Sequence, residues 1–243
     1  MAASSEKKSL LDRLGKRKAL QVTLVVVAVL VLIGNFVIRS SGDDLAPAEG
    51  AQGSALAALS ELEIAEWEDE DGYDRDDFGT AWKDVDDNSC DTRNDILARD
   101  LEGEEFSEGE TCEIATGTLE DPYTGQEIDF ERGPQSGEVQ IDHIVALKNA
   151  WVTGAHAWDE AERELIANDP LNLIASDGPA NMGKGASDAS EWLPENEGYH
   201  CEYIASQVAV KLKYELWVTG PEHEAMTDVL SECPDQPLPA GGL

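Results

Sequence analysis

Residues 139–147 read VQIDHIVAL, residues 168–175 read NDPLNLIA and residues 181–185 read NMGKG. The first two runs have the apolar pattern of short strands. In the third run, Asn181 and Lys184 are three residues apart, a spacing that places both on one face of a helix. Asp142 and His143 end the first strand, and Asn172 begins the second. The sequence therefore predicts two strands followed by a helix, with polar residues gathered on all three elements.

This ordered set resembles the HNH (His-Me finger) endonucleases. More narrowly, it resembles exported actinobacterial proteins of this family, which are related to the nuclease domain of GmrSD-type modification-dependent restriction enzymes. The resemblance extends over roughly residues 78–233 and includes CDTRND at 90–95 and DPYTG at 121–125. It implies an α+β fold with a ββα-metal nuclease core and added helices. One N-terminal transmembrane helix, at residues 19–38, is expected to precede this core.

The resemblance also implies a role for each residue. His143 corresponds to the general base that takes a proton from the attacking water, a role that suits its near-neutral pKa. Asp142 and Asn181 correspond to the ligands of one divalent ion, for which Mg²⁺ is expected and Mn²⁺ is the alternative. Asn172 would steady the loop and the histidine, and Lys184 would neutralise phosphate charge.

Arg93 lies in the CDTRND run, and we interpret it as a phosphate clamp. Ala186 is a departure from the family pattern, because Asp often follows Lys-Gly there. We expect metal binding to survive this change, because Asp142 and Asn181 remain.

Each of these residues also has a purely structural interpretation. His143 could be a buried histidine bonded to Asp142 or to the main chain, and Asn172 could belong to a turn. Asn181 could be a helix N-cap, Lys184 a solvated charge, and Arg93 the ion-pair partner of nearby acids. The other histidines match no motif position and are expected to be structural or on the surface; they are His156, His200 and His223.

A second metal pattern lies in residues 84–95. Asp84, Asp86 and Asn88 occupy positions 1, 3 and 5 of a Ca²⁺ loop, and Asp95 falls at position 12. Ser89 replaces the usual glycine, and no helix obviously precedes the loop. The alternative is a solvated acidic turn that caps the next helix.

The chain of 243 residues contains 17 Lys and Arg against 51 Asp and Glu, a formal net charge of −34. This charge excludes a protein that holds nucleic acid on a broad basic surface. Seven of the basic residues fall within residues 1–39, which contain only two acidic residues. The negative charge therefore lies almost entirely beyond residue 39.

Residues 19–38 carry no charge and are rich in Val and Leu. As a helix they would extend for roughly 30 Å, the thickness of a bilayer core. The basic residues before them predict a cytoplasmic N-terminus and a single-pass protein whose later part is exported. A signal peptide cleaved near Ala46-Pro47-Ala48 is the rival interpretation, in which the protein is secreted. The third interpretation of residues 19–38 is a helix buried in the core of the folded domain.

All four cysteines lie beyond this segment, which favours two disulfides on the exported side. Three pairings are possible, and proximity along the chain favours Cys90–Cys112 and Cys201–Cys233. A zinc site built from the four cysteines is the competing interpretation, although the chain has no Cys-x-x-Cys pair.

The predicted organisation has five parts: a cytoplasmic basic N-terminus at 1–18, a transmembrane helix or signal anchor at 19–38, an acidic linker at 39–75, a nuclease domain at 76–234 and a flexible tail at 235–243. Within the domain we expect helices over 92–101, 199–216 and 221–230, and strands around 128–130, 139–145 and 171–175. The segments differ mainly in charge and in apolar content.

Together these features predict an extracytoplasmic, metal-dependent endonuclease that hydrolyses phosphodiester bonds of DNA, or alternatively of RNA. The other hypothesis is a catalytically weak binding module of the cell envelope on the same scaffold, which the acidic surface favours. The expected partners are nucleic acid as substrate and the membrane through the N-terminal helix. No protein partner is evident.

Overall fold

The structure is a computed structural model that describes residues 53–239. The predicted cytoplasmic N-terminus, the transmembrane or signal segment at 19–38 and the first part of the linker lie outside the described residues. Within residues 53–239, no helix is both long enough and apolar enough to cross a membrane.

The described chain is an α+β domain of seven helices and five strands. In chain order these are α1 (Ala55–Leu59), α2 (Thr92–Asp100), β1 (Leu101–Phe106), β2 (Ile114–Glu120), β3 (Glu127–Glu131), β4 (Val139–His143), α3 (Leu147–Val152), α4 (Glu160–Asn168), β5 (Leu173–Asp177), α5 (Gly178–Lys184), α6 (His200–Lys213) and α7 (Gly220–Glu232). Four short 3₁₀ turns join them, at Arg75–Phe78, Ala155–Ala157, Pro170–Asn172 and Glu197–Tyr199.

The strands form two separate antiparallel sheets. Strands β1, β2 and β3 make a three-stranded sheet in that order, and β4 pairs with β5. Strand β1 reads LEGEEF, and all of its residues after Leu101 are exposed. The two sheets share one apolar cluster, to which Leu119 and Phe130 contribute from the first sheet and Ile141 from the second.

The helix starts follow local sequence chemistry. Asp91 caps α2 and accepts a hydrogen bond from the Asn94 amide at 2.8 Å. Asp159 at the start of α4 and Thr219 at the start of α7 each form a capping box with a glutamate three residues later. These polar caps satisfy main-chain N–H groups that the helices themselves leave unpaired.

The predicted linker over 39–75 is wrong for residues 53–75, which pack onto the domain. Helix α1 lies against α6 and α7, and Leu59 is 1% exposed. Ile64 forms a parallel bridge with Val218. Apolar residues at a helical spacing therefore dock this segment, despite its many carboxylates.

The predicted flexible tail is also wrong as far as residue 239. Ser54 forms an antiparallel bridge with Pro237, and the Ala55 amide donates to the Gln236 carbonyl at 2.8 Å. Leu238 packs against the cluster that contains α1. The two ends of the described chain therefore stabilise each other.

Both predicted disulfides are confirmed, and the zinc site is thereby excluded. Cys90–Cys112 joins the loop before α2 to the loop between β1 and β2, and Cys201–Cys233 joins the first turn of α6 to the end of α7. A buried ion pair links the same two helices, because Lys211 Nζ lies 2.8 Å from Glu222 Oε1. Burial raises the pKa of the Glu222 carboxyl, and the Lys211 charge opposes that rise.

Candidate active site

The predicted order of two strands and a helix is present as β4, β5 and α5. In the antiparallel pair, Asp142 lies opposite Ile174 and His143 opposite Leu173. Asp177 then caps α5 by accepting from the Ala180 amide at 2.7 Å. A Cβ added to Gly178 would lie 2.3 Å from the Gly137 carbonyl oxygen, so the strand-to-helix turn requires glycine. This tight turn sets α5 beside β4.

His143 is 7% exposed, and one hydrogen bond defines its tautomer. Its Nε2 lies 2.9 Å from the carbonyl oxygen of Ala167, in the last turn of α4. Because a carbonyl oxygen can only accept, Nε2 carries the proton and Nδ1 keeps a free lone pair. Burial lowers the pKa of His143 to about 4, so the near-neutral pKa expected from the sequence is wrong. The imidazole is therefore neutral at physiological pH and can accept a proton at Nδ1.

Trp82 packs against this imidazole. The two rings are 6.5 Å apart between centroids, with an angle of 17° between their planes. Trp82 has a φ of +59°, a left-handed conformation that bulky side chains rarely adopt. The turn is held by Asn168, which accepts from the Lys83 amide at 2.9 Å and donates to the Thr80 carbonyl at 3.0 Å. A strained residue is thus fixed over the histidine.

Asp142 and Lys184 form a buried pair on the same strand and helix. Lys184 Nζ lies 2.9 Å from Asp142 Oδ2 and donates to the His143 carbonyl oxygen at 2.7 Å. The Tyr123 hydroxyl also donates to Asp142 Oδ2, at 2.6 Å. Burial and the nearby Asp142 charge raise the pKa of Tyr123, which keeps it a donor.

Lys184 is not placed where it could make the predicted contact with phosphate. It is 1% exposed, and its ammonium is committed to Asp142 and to the His143 carbonyl. A phosphate group in solution does not reach a charge that is buried in this way. In this structure Lys184 is therefore a positioning residue, which holds the main chain at His143 and the carboxylate at Asp142.

Asn172 holds the loop that follows β4. Its Oδ1 accepts from the Val145 amide at 2.8 Å, and its Nδ2 donates to the Val145 carbonyl at 3.2 Å. Nδ2 also donates to the Ile166 carbonyl at 3.2 Å. The side chain is fully buried, so it positions the loop and does not touch solvent. The steadying of the histidine that the resemblance implies for Asn172 stays a prediction.

Asp142 and Asn181 offer the oxygens of the predicted metal site. Asn181 donates Nδ2 to Gln140 Oε1 at 2.9 Å, which leaves its Oδ1 without a donor in the described part of the chain. Within residues 53–239, Asp142 Oδ1 accepts only from Lys184, at 3.2 Å, and keeps a second lone pair. Residues 53–239 contain no cluster of three or more His, Cys, Asp or Glu placed to hold a metal. One carboxylate and one amide fit a hard cation that keeps most of its waters, as Mg²⁺ does.

Two cavities meet at His143. The larger one, of about 350 Å³, is lined by Asp142, His143 and Asn181 together with Tyr73, Arg75 and Lys148. The smaller one, of about 90 Å³, is lined by His143, Trp82 and again Arg75. A third cavity, of about 240 Å³, shares Lys148 and Ala186 with the larger one and extends to the half-exposed Trp67. The histidine is thus accessible from a groove.

Arg93 is not among the residues that line these cavities. Its guanidinium lies 3.5 Å from the Val139 carbonyl oxygen, at the other end of β4 from His143. Burial and the neighbouring Arg132 lower the pKa of Arg93. The predicted phosphate clamp is therefore not brought to the histidine.

Hydrogen bonds link three of the four side chains of the predicted Ca²⁺ loop, and the fourth, Asp84, bonds to the main chain instead. Asn88 Nδ2 donates to Asp86 Oδ2 and to Asp95 Oδ1, each at 3.0 Å, and Asp84 Oδ2 accepts from the Ser89 amide at 2.9 Å. Burial and neighbouring carboxylates raise the pKa of Asp95. Internal hydrogen bonds account for much of this geometry, and Ca²⁺ binding stays a prediction.

Four residues at the site are not found by sequence reasoning. Arg75 lies in the segment that was interpreted as linker, and Trp82 owes its place to a strained turn. Tyr123 and Asn168 act through hydrogen bonds to groups that are distant along the chain. Two of them do lie in runs that the sequence singles out, because Tyr123 belongs to DPYTG at 121–125 and Asn168 begins NDPLNLIA at 168–175.

Comparison with known proteins shows the family to which the chain belongs. The GmrSD restriction endonuclease C-terminal domain family matches residues 91–229. An "Uncharacterized secreted protein" of Arthroderma benhamiae is 34% identical over 182 residues, which are 74% of this chain and 85% of that protein. No solved structure matches the chain significantly. The narrower actinobacterial branch stays a prediction.

Proposed function

Because the chain belongs to the family of GmrSD restriction endonuclease C-terminal domains, we propose that it is an extracytoplasmic, metal-dependent endonuclease that cleaves DNA, with RNA as the alternative substrate. The observation that carries this proposal is His143. Its neutral imidazole has a fixed tautomer and lies at a cavity that also contains Asp142 and Asn181. A general base and hard oxygen ligands in one cavity suit phosphodiester hydrolysis.

In the proposed reaction, His143 Nδ1 takes a proton from a water molecule as the water oxygen bonds to phosphorus. The bond between phosphorus and the 3′ oxygen breaks, and the 3′ oxygen receives a proton from solvent. The Ala167 carbonyl accepts from Nε2–H and holds the ring in this orientation, and it also stabilises the imidazolium that forms. Asn172 and Lys184 keep the main chain around His143 in place.

Asp142 and Asn181 would hold the divalent ion, Mg²⁺ or alternatively Mn²⁺. When bound, that ion supplies positive charge to the phosphate and to the departing oxygen. The Lys184 ammonium competes for Asp142, so we expect the metal to bind weakly and with several waters retained.

Two observations support a location outside the cytoplasm. The domain has two disulfides, which persist in oxidising compartments. The relative from Arthroderma benhamiae is described as secreted. Membrane anchoring through residues 19–38 remains part of the proposal.

The second candidate function is a catalytically weak binding module of the cell envelope. It is favoured by the net charge of −34, which opposes the approach of a polyanion. Cleavage distinguishes the two candidates, because a binding module on the same scaffold would bind ligands without hydrolysing phosphodiesters.

The deciding experiment incubates the full chain, with oxidised cysteines, with supercoiled plasmid in Mg²⁺, Mn²⁺ or EDTA. We expect nicking that needs the metal and that falls by about 10²-fold or more in His143→Ala. His223→Ala is the matched control, because His223 lies in α7 and lines neither cavity at His143. A folded wild-type chain that cleaves in no metal overturns the nuclease. Equal cleavage by His143→Ala overturns His143 as the base.

A further inference from the structure

The positive charges of the described chain are almost all engaged. Residues 53–239 contain ten Lys and Arg residues. Seven of them form ion pairs with carboxylates, namely Lys83, Arg99, Arg132, Lys148, Lys184, Lys211 and Lys213. Arg93 and Arg163 donate to main-chain carbonyls. Only Arg75, among the described residues, makes neither an ion pair nor a side-chain hydrogen bond.

Arg75 lines both cavities that meet at His143. Its side chain is exposed, although Asp74, Asp76 and Asp77 surround it in the sequence. In a chain with three times as many acidic as basic residues, an arginine with no carboxylate partner within residues 53–239 is unexpected. The guanidinium is therefore available to a ligand at the histidine.

The main chain that carries Arg75 is well fixed. It begins a 3₁₀ turn over Arg75–Phe78, in which Asp74 accepts from the Asp76 amide at 3.0 Å. Phe78 is 2% exposed and packs against Tyr73 and Trp151, with ring centroids 6.1 Å and 6.5 Å away. The backbone is thus anchored by aromatic packing while the guanidinium stays free. This combination is suited to a ligand-binding arginine, because less order must be imposed when the ligand arrives.

We propose that Arg75 binds the non-bridging oxygens of the phosphodiester that lies beside His143. The planar guanidinium can donate two parallel hydrogen bonds to a phosphate group, which a lysine cannot do. It would neutralise phosphate charge and orient the phosphorus toward the water that His143 deprotonates. This inference rests on the proposed nuclease function. It assigns to Arg75 the phosphate contact that was predicted for Arg93 and Lys184, because Arg93 lies away from the cavity and Lys184 is buried.

The test compares three variants of the full chain. Arg75→Ala removes the guanidinium, and Arg75→Lys keeps the charge without the paired donors. Lys83→Ala is the charge-matched control, because it removes one positive charge from an exposed ion pair with Glu164. We expect Arg75→Ala to lower kcat/KM by about 10²-fold, Arg75→Lys to recover part of that loss, and Lys83→Ala to stay near wild type.

Binding of a DNA duplex in EDTA provides a readout that needs neither metal nor cleavage. The slope of log K against log salt reports how many phosphates the protein contacts. We expect Arg75→Ala to reduce the magnitude of this slope by about 1, and Lys83→Ala to leave it unchanged. Circular dichroism would verify that each variant is folded.

Different results would overturn the nuclease function and the role of Arg75. If the wild-type chain cleaves DNA and Arg75→Ala behaves like Lys83→Ala in both assays, the role of Arg75 is overturned and the nuclease stands. If the folded wild-type chain neither binds nor cleaves nucleic acid, the nuclease is overturned and the role of Arg75 with it. A lower kcat/KM with an unchanged salt slope and no recovery in Arg75→Lys also overturns the phosphate contact, because it indicates a structural defect.

Discussion

The Lys184 ammonium lies 2.9 Å from Oδ2 of Asp142, and both side chains are buried. The pair joins the helix α5 to the strand β4 immediately beside His143. Lys184 also donates to the His143 carbonyl, so one cation fixes both the carboxylate of Asp142 and the main chain of His143. Removal of either partner leaves a buried charge without compensation.

This relationship predicts a large loss of stability in Lys184→Met. The buried Asp142 carboxylate would lose its cation, which costs about 3–5 kcal/mol and lowers Tm by roughly 10 °C. Lys148→Met is the matched control, because its partner Glu70 is exposed and such pairs contribute about 1 kcal/mol or less. Thermal and urea unfolding measure both. Equal losses of stability in Lys184→Met and Lys148→Met would contradict the prediction that the buried ion pair contributes more than the exposed one.

The neutral state of His143 predicts activity well into the acid range. Its pKa is about 4 in the folded protein, against an ordinary value of 6.5. We therefore expect the acid limb of kcat/KM to lie well below pH 6. A limb centred near 6.5 would show that the imidazole is solvated and would contradict the buried placement.

The same shift in pKa predicts how stability depends on pH. Between pH 6.5 and 4 the unfolded chain binds a proton at His143 that the folded protein does not, so this contribution is complete above pH 6.5 and is lost as the pH falls toward 4. His143→Gln removes the contribution. Unfolding of both proteins in EDTA at pH 7.5 and pH 4.5 tests this, and we expect the wild type to lose more stability than the variant.

The disulfide between Cys201 and Cys233 predicts a measurable stabilisation of the last two helices. It closes a segment of 32 residues, for which chain entropy gives about 3–4 kcal/mol. The double variant Cys201→Ser/Cys233→Ser should therefore unfold at a Tm lower by roughly 10 °C. A Tm within 2 °C of wild type, measured for a folded variant under oxidising conditions, would contradict this estimate.

Helix α1 predicts that residues before 76 belong to the folding unit. Leu59 is 1% exposed and packs against α6 and α7, so Leu59→Ala should lower the free energy of unfolding by about 2–5 kcal/mol. Leu165→Ala is the control, because Leu165 is 60% exposed and its truncation should change stability by less than about 0.5 kcal/mol. Urea unfolding compares the two. If both variants match wild type, the docking of α1 contributes no stability.

The central elements could be predicted from the sequence because their signals are local. Asp142 and His143 end an apolar run, and Asn181 and Lys184 share one helix face, so neighbouring residues alone predicted the order of β4, β5 and α5. Strand β1 gave no such signal, since LEGEEF has neither alternation nor a helical period. It forms because β2 supplies its hydrogen bonds.

The chemistry of single side chains depended on contacts that no local pattern reveals. Lys184 was expected to face phosphate, but burial beside Asp142 decided its partner. Arg75 lines the same cavities as His143, although it lies 68 positions earlier in the chain. The many carboxylates of its segment led to the prediction of a linker there. Trp82 required a backbone conformation that sequence propensity disfavours.

The residues that line the cavities at His143 lie on both sides of residue 91, where the match to the family domain begins. Tyr73, Arg75 and Trp82 precede residue 91, whereas His143 and Asn181 follow it. A graft that transplanted only residues 91–229 into another scaffold would carry His143 without Arg75 or Trp82. A portable unit for protein engineering must therefore include Tyr73, Arg75 and Trp82, together with the paired segments around Ser54 and Pro237.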